Sequence, residues 1–190
     1  MSKALTFKQK QELTIKRGKT TPKNADLILV DRSGSMGSTA IGGKSRINCV
    51  REALAPFKGR AHVLAFDDSI EEVDCDNIPN PRGVTLLGKA IEFAIPLEPL
   101  HVLVMCDGYP TENNDSVLEK ASRLAQQCII DALYIGPPSD IGAIEFMKQL
   151  ATVGHGRFSM FDLSIKSPLL LSQGVESMLA LPDPSTIVSL

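Results

Sequence analysis

The chain has 190 residues, of which 43% are hydrophobic and 22% are charged, and its formal net charge is -2. A chain of this length fits one domain whose core is large enough to fold without a disulfide or a metal staple. The composition is too apolar for a disordered protein, and no run approaches the roughly 18 apolar residues that would predict a membrane span. We therefore expect a soluble globular protein with no membrane span.

The charge is unevenly distributed along the chain. Residues 1–24 carry seven basic side chains and one acidic side chain, a net +6, so that the remaining residues carry -8. This pattern is typical of a solvated terminal extension, and it also fits a segment that contacts nucleic acid, anionic lipid or an acidic protein. The segment lacks the apolar stretch of about 7 to 15 residues that a signal peptide requires.

The four cysteines are expected to be reduced thiols. Cys49, Cys75, Cys106 and Cys128 form no CxxC pair, and two of them lie within apolar runs. This pattern favours buried thiols over a zinc site or disulfides, and it favours a cytoplasmic location.

Short apolar runs alternate with helical patterns from Asp26 onward. Runs of about four to eight apolar residues without alternation predict strands that are buried on both faces, as in a parallel sheet. They fall at 27–30, 62–66, 100–106, 129–135 and 156–161. Helical patterns cover 45–57, 86–95, a segment with a capping box at Ser116 and Glu119, 140–153, and 168–179. The alternation predicts an α/β fold, a Rossmann-like, doubly wound, mostly parallel sheet with helices on both faces.

One strand should break the parallel order. Residues 70–73 follow Phe66 too closely for a crossover helix, so they are expected to form a short antiparallel edge strand. Asp67 and Asp68 are expected at an exposed hairpin tip. The predicted organisation is a basic extension over 1–24, one domain over 25–180 and a tail over 181–190.

Oxygen-bearing side chains follow the predicted strands at their carboxyl ends. Asp31, Ser33 and Ser35 follow the first strand, Asp107 follows the strand that ends at Cys106, and Thr85 opens a helical segment between them. Ligands bind at this edge in open α/β sheets. Hydroxyl and carboxylate oxygens suit Mg²⁺, Mn²⁺ or Ca²⁺ and argue against zinc or copper. The alternatives are that these are ordinary turn residues and that Thr85 caps the helix after it.

Three segments together resemble the von Willebrand factor type A domain with its metal-ion-dependent adhesion site. They are Asp26–Met36, Gly83–Ala90 and Val104–Thr111, and the resemblance extends over about residues 25–180. It implies that Ser33, Ser35 and Thr85 supply hydroxyl ligands, and that Asp31 and Asp107 act directly or through water. The chain looks like the intracellular microbial or phage type of this family.

The function expected from these residues is protein binding that depends on a divalent cation. With at most two carboxylates, the ion would stay electron-poor and would favour a Glu or Asp carboxylate of a partner protein as a further ligand. A magnesium-dependent phosphoryl or ester hydrolase is one alternative, although no base or nucleophile pair accompanies the metal ligands. A protein that contacts nucleic acid through its basic extension is the other.

Overall fold

The computed structural model describes residues 25–180, so the basic extension 1–24 and the tail 181–190 lie outside the described residues. Six strands form one sheet in the order β3-β2-β1-β4-β5-β6, and every neighbouring pair is parallel except β2 and β3. The strands are β1 Asp26–Asp31, β2 His62–Phe66, β3 Ile70–Val73, β4 His101–Cys106, β5 Ile129–Tyr134 and β6 His155–Met160. The longer helices are α1 Arg46–Leu54, α2 Leu87–Ala94, α3 Asn114–Leu124, α4 Ile141–Val153 and α5 Pro168–Leu179. The predicted fold class and the antiparallel edge strand are confirmed.

The central strand β1 is buried on both faces, which is why its sequence is continuously apolar. Leu27 and Leu29 belong to a core that also contains the apolar sides of α2, α3 and α4. Ile28 and Val30 belong to a second core, on the other side of the sheet, with α1 and α5. The alternation of strand side chains therefore supplies both cores from the same four residues.

The strand order reverses beside β1. The chain runs from β1 to β2 on one side and returns to β4 on the other, so the two crossover paths diverge at the carboxyl ends of β1 and β4. A crevice at such a switch point is the usual ligand site of open α/β sheets. The predicted oxygen donors lie at this point.

One predicted helix start is wrong, and the alternative role of Thr85 as a helix cap is excluded. Helix α3 begins at Asn114, because the side chain of Asn113 accepts a 3.1 Å hydrogen bond from the amide of Ser116 and so caps the helix three residues earlier than the predicted box. Helix α2 begins at Leu87 with Leu86 at its cap position, so Thr85 does not cap it. Asp140 caps α4, because its side chain accepts a hydrogen bond from the amide of Ala143.

The tip of the β2–β3 hairpin is only partly exposed, which corrects the expectation for Asp67. Asp68 is exposed, but Asp67 is buried because its carboxylate lies 3.1 Å from Nε of the buried Arg32 and accepts a 2.9 Å hydrogen bond from Arg82. Burial alone would raise the pKa of Asp67, but hydrogen bonds from Ser69 and Arg82 outweigh it and lower the pKa to about 2. Asp67 is therefore a structural anion inside the fold.

The four cysteines are free thiols. Cys49, Cys75 and Cys106 are buried free thiols, and Cys128 is a partly buried free thiol. Among residues 25–180, no helix combines the length and apolar character needed to cross a membrane.

Candidate metal centre

The turn after β1 arranges the first three predicted ligands. Asp31 is the last residue of the strand, and its Oδ1 accepts a 2.7 Å hydrogen bond from the amide of Ser33. A one-turn 3-10 helix over Gly34–Gly37 follows, and the hydroxyl oxygens of Ser33 and Ser35 lie 3.0 Å apart. The short-range bond from carboxylate to amide thus fixes a turn that presents two hydroxyls together.

Asp107 joins this turn from a distant part of the sequence. Strands β1 and β4 are parallel neighbours, with Val30 opposite Met105, so the residues that follow the two strands emerge side by side. The hydroxyl of Ser35 donates a 2.7 Å hydrogen bond to Oδ1 of Asp107, across 72 residues of sequence. Asp31, Ser33 and Asp107 are buried, whereas Ser35 is exposed. The cluster consequently opens to solvent at Ser35.

The turn that carries Thr85 packs against the first turn. The amide of Gly34 donates to the carbonyl of Gly83 at 3.2 Å, which ties the two turns together. Gly83 has a positive φ of 64°, a conformation that favours glycine. Thr85 is itself held through its backbone by two bonds with Thr111, at 3.2 and 2.8 Å. The structure therefore places all five predicted ligands at one edge of the sheet, with Thr85 in the adjoining turn.

Both oxygens of Asp31 already have protein donors. Oδ1 receives the amide of Ser33, and Oδ2 accepts a 2.9 Å hydrogen bond from the thiol of Cys106. Burial raises the pKa of Asp31 to about 6, and the charge of Asp107 adds to this rise, whereas the bonds from Cys106 and Ser33 oppose it. Burial also raises the pKa of the Cys106 thiol well above its usual value, so the thiol keeps the proton that it donates. Cys106 therefore orients Asp31, a role that sequence reasoning missed.

A second residue missed from the sequence is Arg46, the first residue of α1. Its Nη1 lies 2.7 Å from Oδ2 of Asp107 and 3.4 Å from the carbonyl oxygen of Ser35. A cation in the first turn of a helix is unfavourable to the helix dipole unless a nearby anion compensates it. That mismatch, in a helix whose first turn carries no acidic residue, is the signal that could have directed attention to Arg46.

The oxygens of the site lie at hydrogen-bonding distance from one another, 3.0 Å between the hydroxyls of Ser33 and Ser35 and 2.7 Å between Ser35 and Asp107. Within residues 25–180, no group of three or more His, Cys, Asp and Glu side chains could hold a metal ion. A metal at this edge would thus depend on the hydroxyl oxygens.

Comparisons with known proteins agree on the fold. No protein-family model matches the sequence. The SpRpn10 VWA domain superposes with a TM-score of 0.57 at 14% identity, covering 80% of this chain and 95% of that domain. A von Willebrand factor type A protein from Catenulispora acidiphila gives 0.55 at 16% identity, over 82% of this chain and 42% of that one. Proximal thread matrix protein 1 from the mussel byssus, with a zinc-occupied MIDAS (metal-ion-dependent adhesion site) motif, gives 0.56 at 17% identity, over 82% and 45%.

A sequence comparison finds a relative that matches part of this chain. The mouse collagen alpha-5(VI) chain is 40% identical over 72 residues, which is 32% of this chain and 3% of the collagen chain. This chain thus spans only a small part of that relative. The structural neighbours share less than 25% of their residues with this chain, so they show that the fold is that of von Willebrand factor A domains.

Proposed function

We propose that this chain binds a divalent cation between the ends of β1 and β4, and that the cation captures a Glu or Asp carboxylate of a partner protein. The observation that carries the proposal is the continuous set of contacts from Ser33 through Ser35 to Asp107 at the switch point of the sheet. The residues Asp31, Ser33, Ser35, Thr85 and Asp107 would hold the ion. When bound, the ion supplies a positive charge that attracts an anionic ligand.

The charges of the site support an anionic partner. Asp31 and Asp107 contribute at most two negative charges, and Arg46 contributes one positive charge within 2.7 Å of Asp107. A divalent cation in this setting leaves the site with a net charge near +1. Ser35 lies at the exposed side, so a carboxylate from outside can approach there. The mussel protein with a zinc-occupied MIDAS motif supports a divalent ion on this fold, and zinc therefore belongs in the titrations beside Mg²⁺ and Mn²⁺.

The roles of the two carboxylates favour binding over hydrolysis. A general base must be within reach of the proton that it removes. Asp31 and Asp107 are both assigned to the ion in this proposal, so neither is left to remove a proton from a substrate. We therefore propose a binding protein with no catalytic role.

Metal titration of a matched pair of serine variants tests the site. Ser35→Ala removes the hydroxyl that contacts both Ser33 and Asp107, and we expect it to weaken Mn²⁺ binding by at least about tenfold in isothermal titration calorimetry. Ser38→Ala is the control, because Ser38 is also exposed and lies in the same loop. Equal affinities in the two variants would remove Ser35 from the metal site.

A pull-down with and without EDTA tests partner capture. We expect a partner protein to be captured without EDTA and not to be captured when EDTA is added. Without EDTA, binding should also be lost when the contacting Asp or Glu of that partner is changed to Asn or Gln. Binding that persists in EDTA but falls steeply with salt would instead indicate phosphate contacts, as expected for a nucleic-acid partner of the basic extension.

A further inference from the structure

The two carboxylate oxygens of Asp107 have different hydrogen-bond donors. Oδ1 accepts from the hydroxyl of Ser35, which is one of the proposed metal ligands, whereas Oδ2 accepts from the guanidinium of Arg46. The Asp107 side chain is fully buried, and that of Arg46 is only 16% exposed, so the pair is shielded from solvent. A shielded pair of this kind keeps much more of its electrostatic attraction than a surface pair does.

We infer that Arg46 is a built-in cation that competes with the divalent ion for Asp107 and so lowers the metal affinity of the site. This inference rests on the proposed function, because it concerns the same metal site. The guanidinium neutralises Asp107 and also reaches the backbone carbonyl of Ser35 at 3.4 Å, so it lies beside two of the residues that would hold the ion. A divalent ion that binds here must therefore share Asp107 with the Arg46 guanidinium, or displace the guanidinium.

The same helix offers a matched control. Arg51 also lies on α1, but within residues 25–180 its guanidinium bonds only to neutral oxygens, those of Ile78, Asn48 and Asn80. Replacing Arg51 with methionine removes a cation of the same kind from the same helix without touching Asp107. Any change that is particular to Arg46→Met can thus be assigned to the pair with Asp107.

Mn²⁺ titration by calorimetry on the full chain tests the inference. We expect Arg46→Met to bind Mn²⁺ about tenfold more tightly than the wild type, or better, because the repelling charge is gone. Arg46→Lys keeps the charge and should remain within about threefold of the wild type, and Arg51→Met should bind as the wild type does. Unchanged or weaker binding in Arg46→Met would overturn the inference.

A measurement in EDTA separates this inference from the proposed function. We expect urea unfolding to show that the double variant loses less free energy of unfolding than the sum of the losses in Arg46→Met and Asp107→Asn. Each single change already breaks the same pair. Additive losses would overturn the inference whether or not the chain binds metal. Non-additive losses together with no Mn²⁺ binding in any variant would overturn the competition and the proposed metal site, while leaving the Arg46–Asp107 pair in place.

Discussion

The buried Asp67 carboxylate predicts how the stability of the fold depends on pH. Its pKa is lowered from the usual 3.8 to about 2, so the folded state favours the charged form. Stability from this group is fully present above about pH 4 and is lost as the pH falls toward 2. The lowering from 3.8 to about 2 corresponds to a stabilisation on the order of 2 kcal/mol. Because the Asp67 side chain is fully buried, little of this is lost to screening by solvent.

Urea unfolding of Asp67→Asn at several pH values measures this contribution. Asparagine cannot ionise, so we expect the variant to be less stable than the wild type at pH 6. The difference in free energy of unfolding between the two proteins should narrow by about 2 kcal/mol as the pH approaches 2. A gap for Asp67→Asn that stays equal at pH 6 and pH 2.5 would refute the assignment of Asp67 as a stabilising buried anion.

Three further outcomes are expected from the same structure. In excess EDTA, thermal melting should still show a cooperative unfolding transition, because two apolar cores hold the sheet without a metal. Loss of this transition would indicate that the ion is needed for the fold. Thr85→Ala should weaken metal-dependent partner binding with little change in melting temperature, since α2 begins two residues later; normal binding with lowered stability would remove Thr85 from the site. Gly136→Ala should destabilise the fold by about 1–3 kcal/mol, because a Cβ there would overlap the Tyr134 hydroxyl and the Asp107 carbonyl, whereas the control Gly108→Ala has open space.

The parallel sheet could be predicted because burial on both faces leaves a direct trace in the sequence. The run from Leu27 to Val30 is apolar at every position because its side chains alternate between two cores. The antiparallel edge strand could be predicted from chain length alone, since three residues between Phe66 and Ile70 leave no room for a crossover. Helix starts were less accurate, because Asn113 and Ser116 are both good caps and local pattern does not rank them.

The oxygen donors of the candidate site were predictable, but their partners were not. Asp31, Ser33 and Ser35 lie within five residues, and the rule for strand ends adds Asp107. The bonds from Arg46 to Asp107 and from Cys106 to Asp31 depend on how α1 and β4 pack against the turn after β1. The spacing of residues along the sequence does not indicate this packing. The burial of Asp67 was missed for the same reason, because its counter-ion Arg32 belongs to another strand end.

The placement of β1 at the centre of the sheet has a consequence for the order of events in folding. Ser35 and Asp107 are 72 residues apart, and they meet only after β4 has paired with β1. The chain between them must close a loop before the contact can form, so we expect the contact to follow the pairing of β4 with β1. An ion held by both turns would therefore bind only after the two strands have paired, and we expect it to slow unfolding rather than to speed folding.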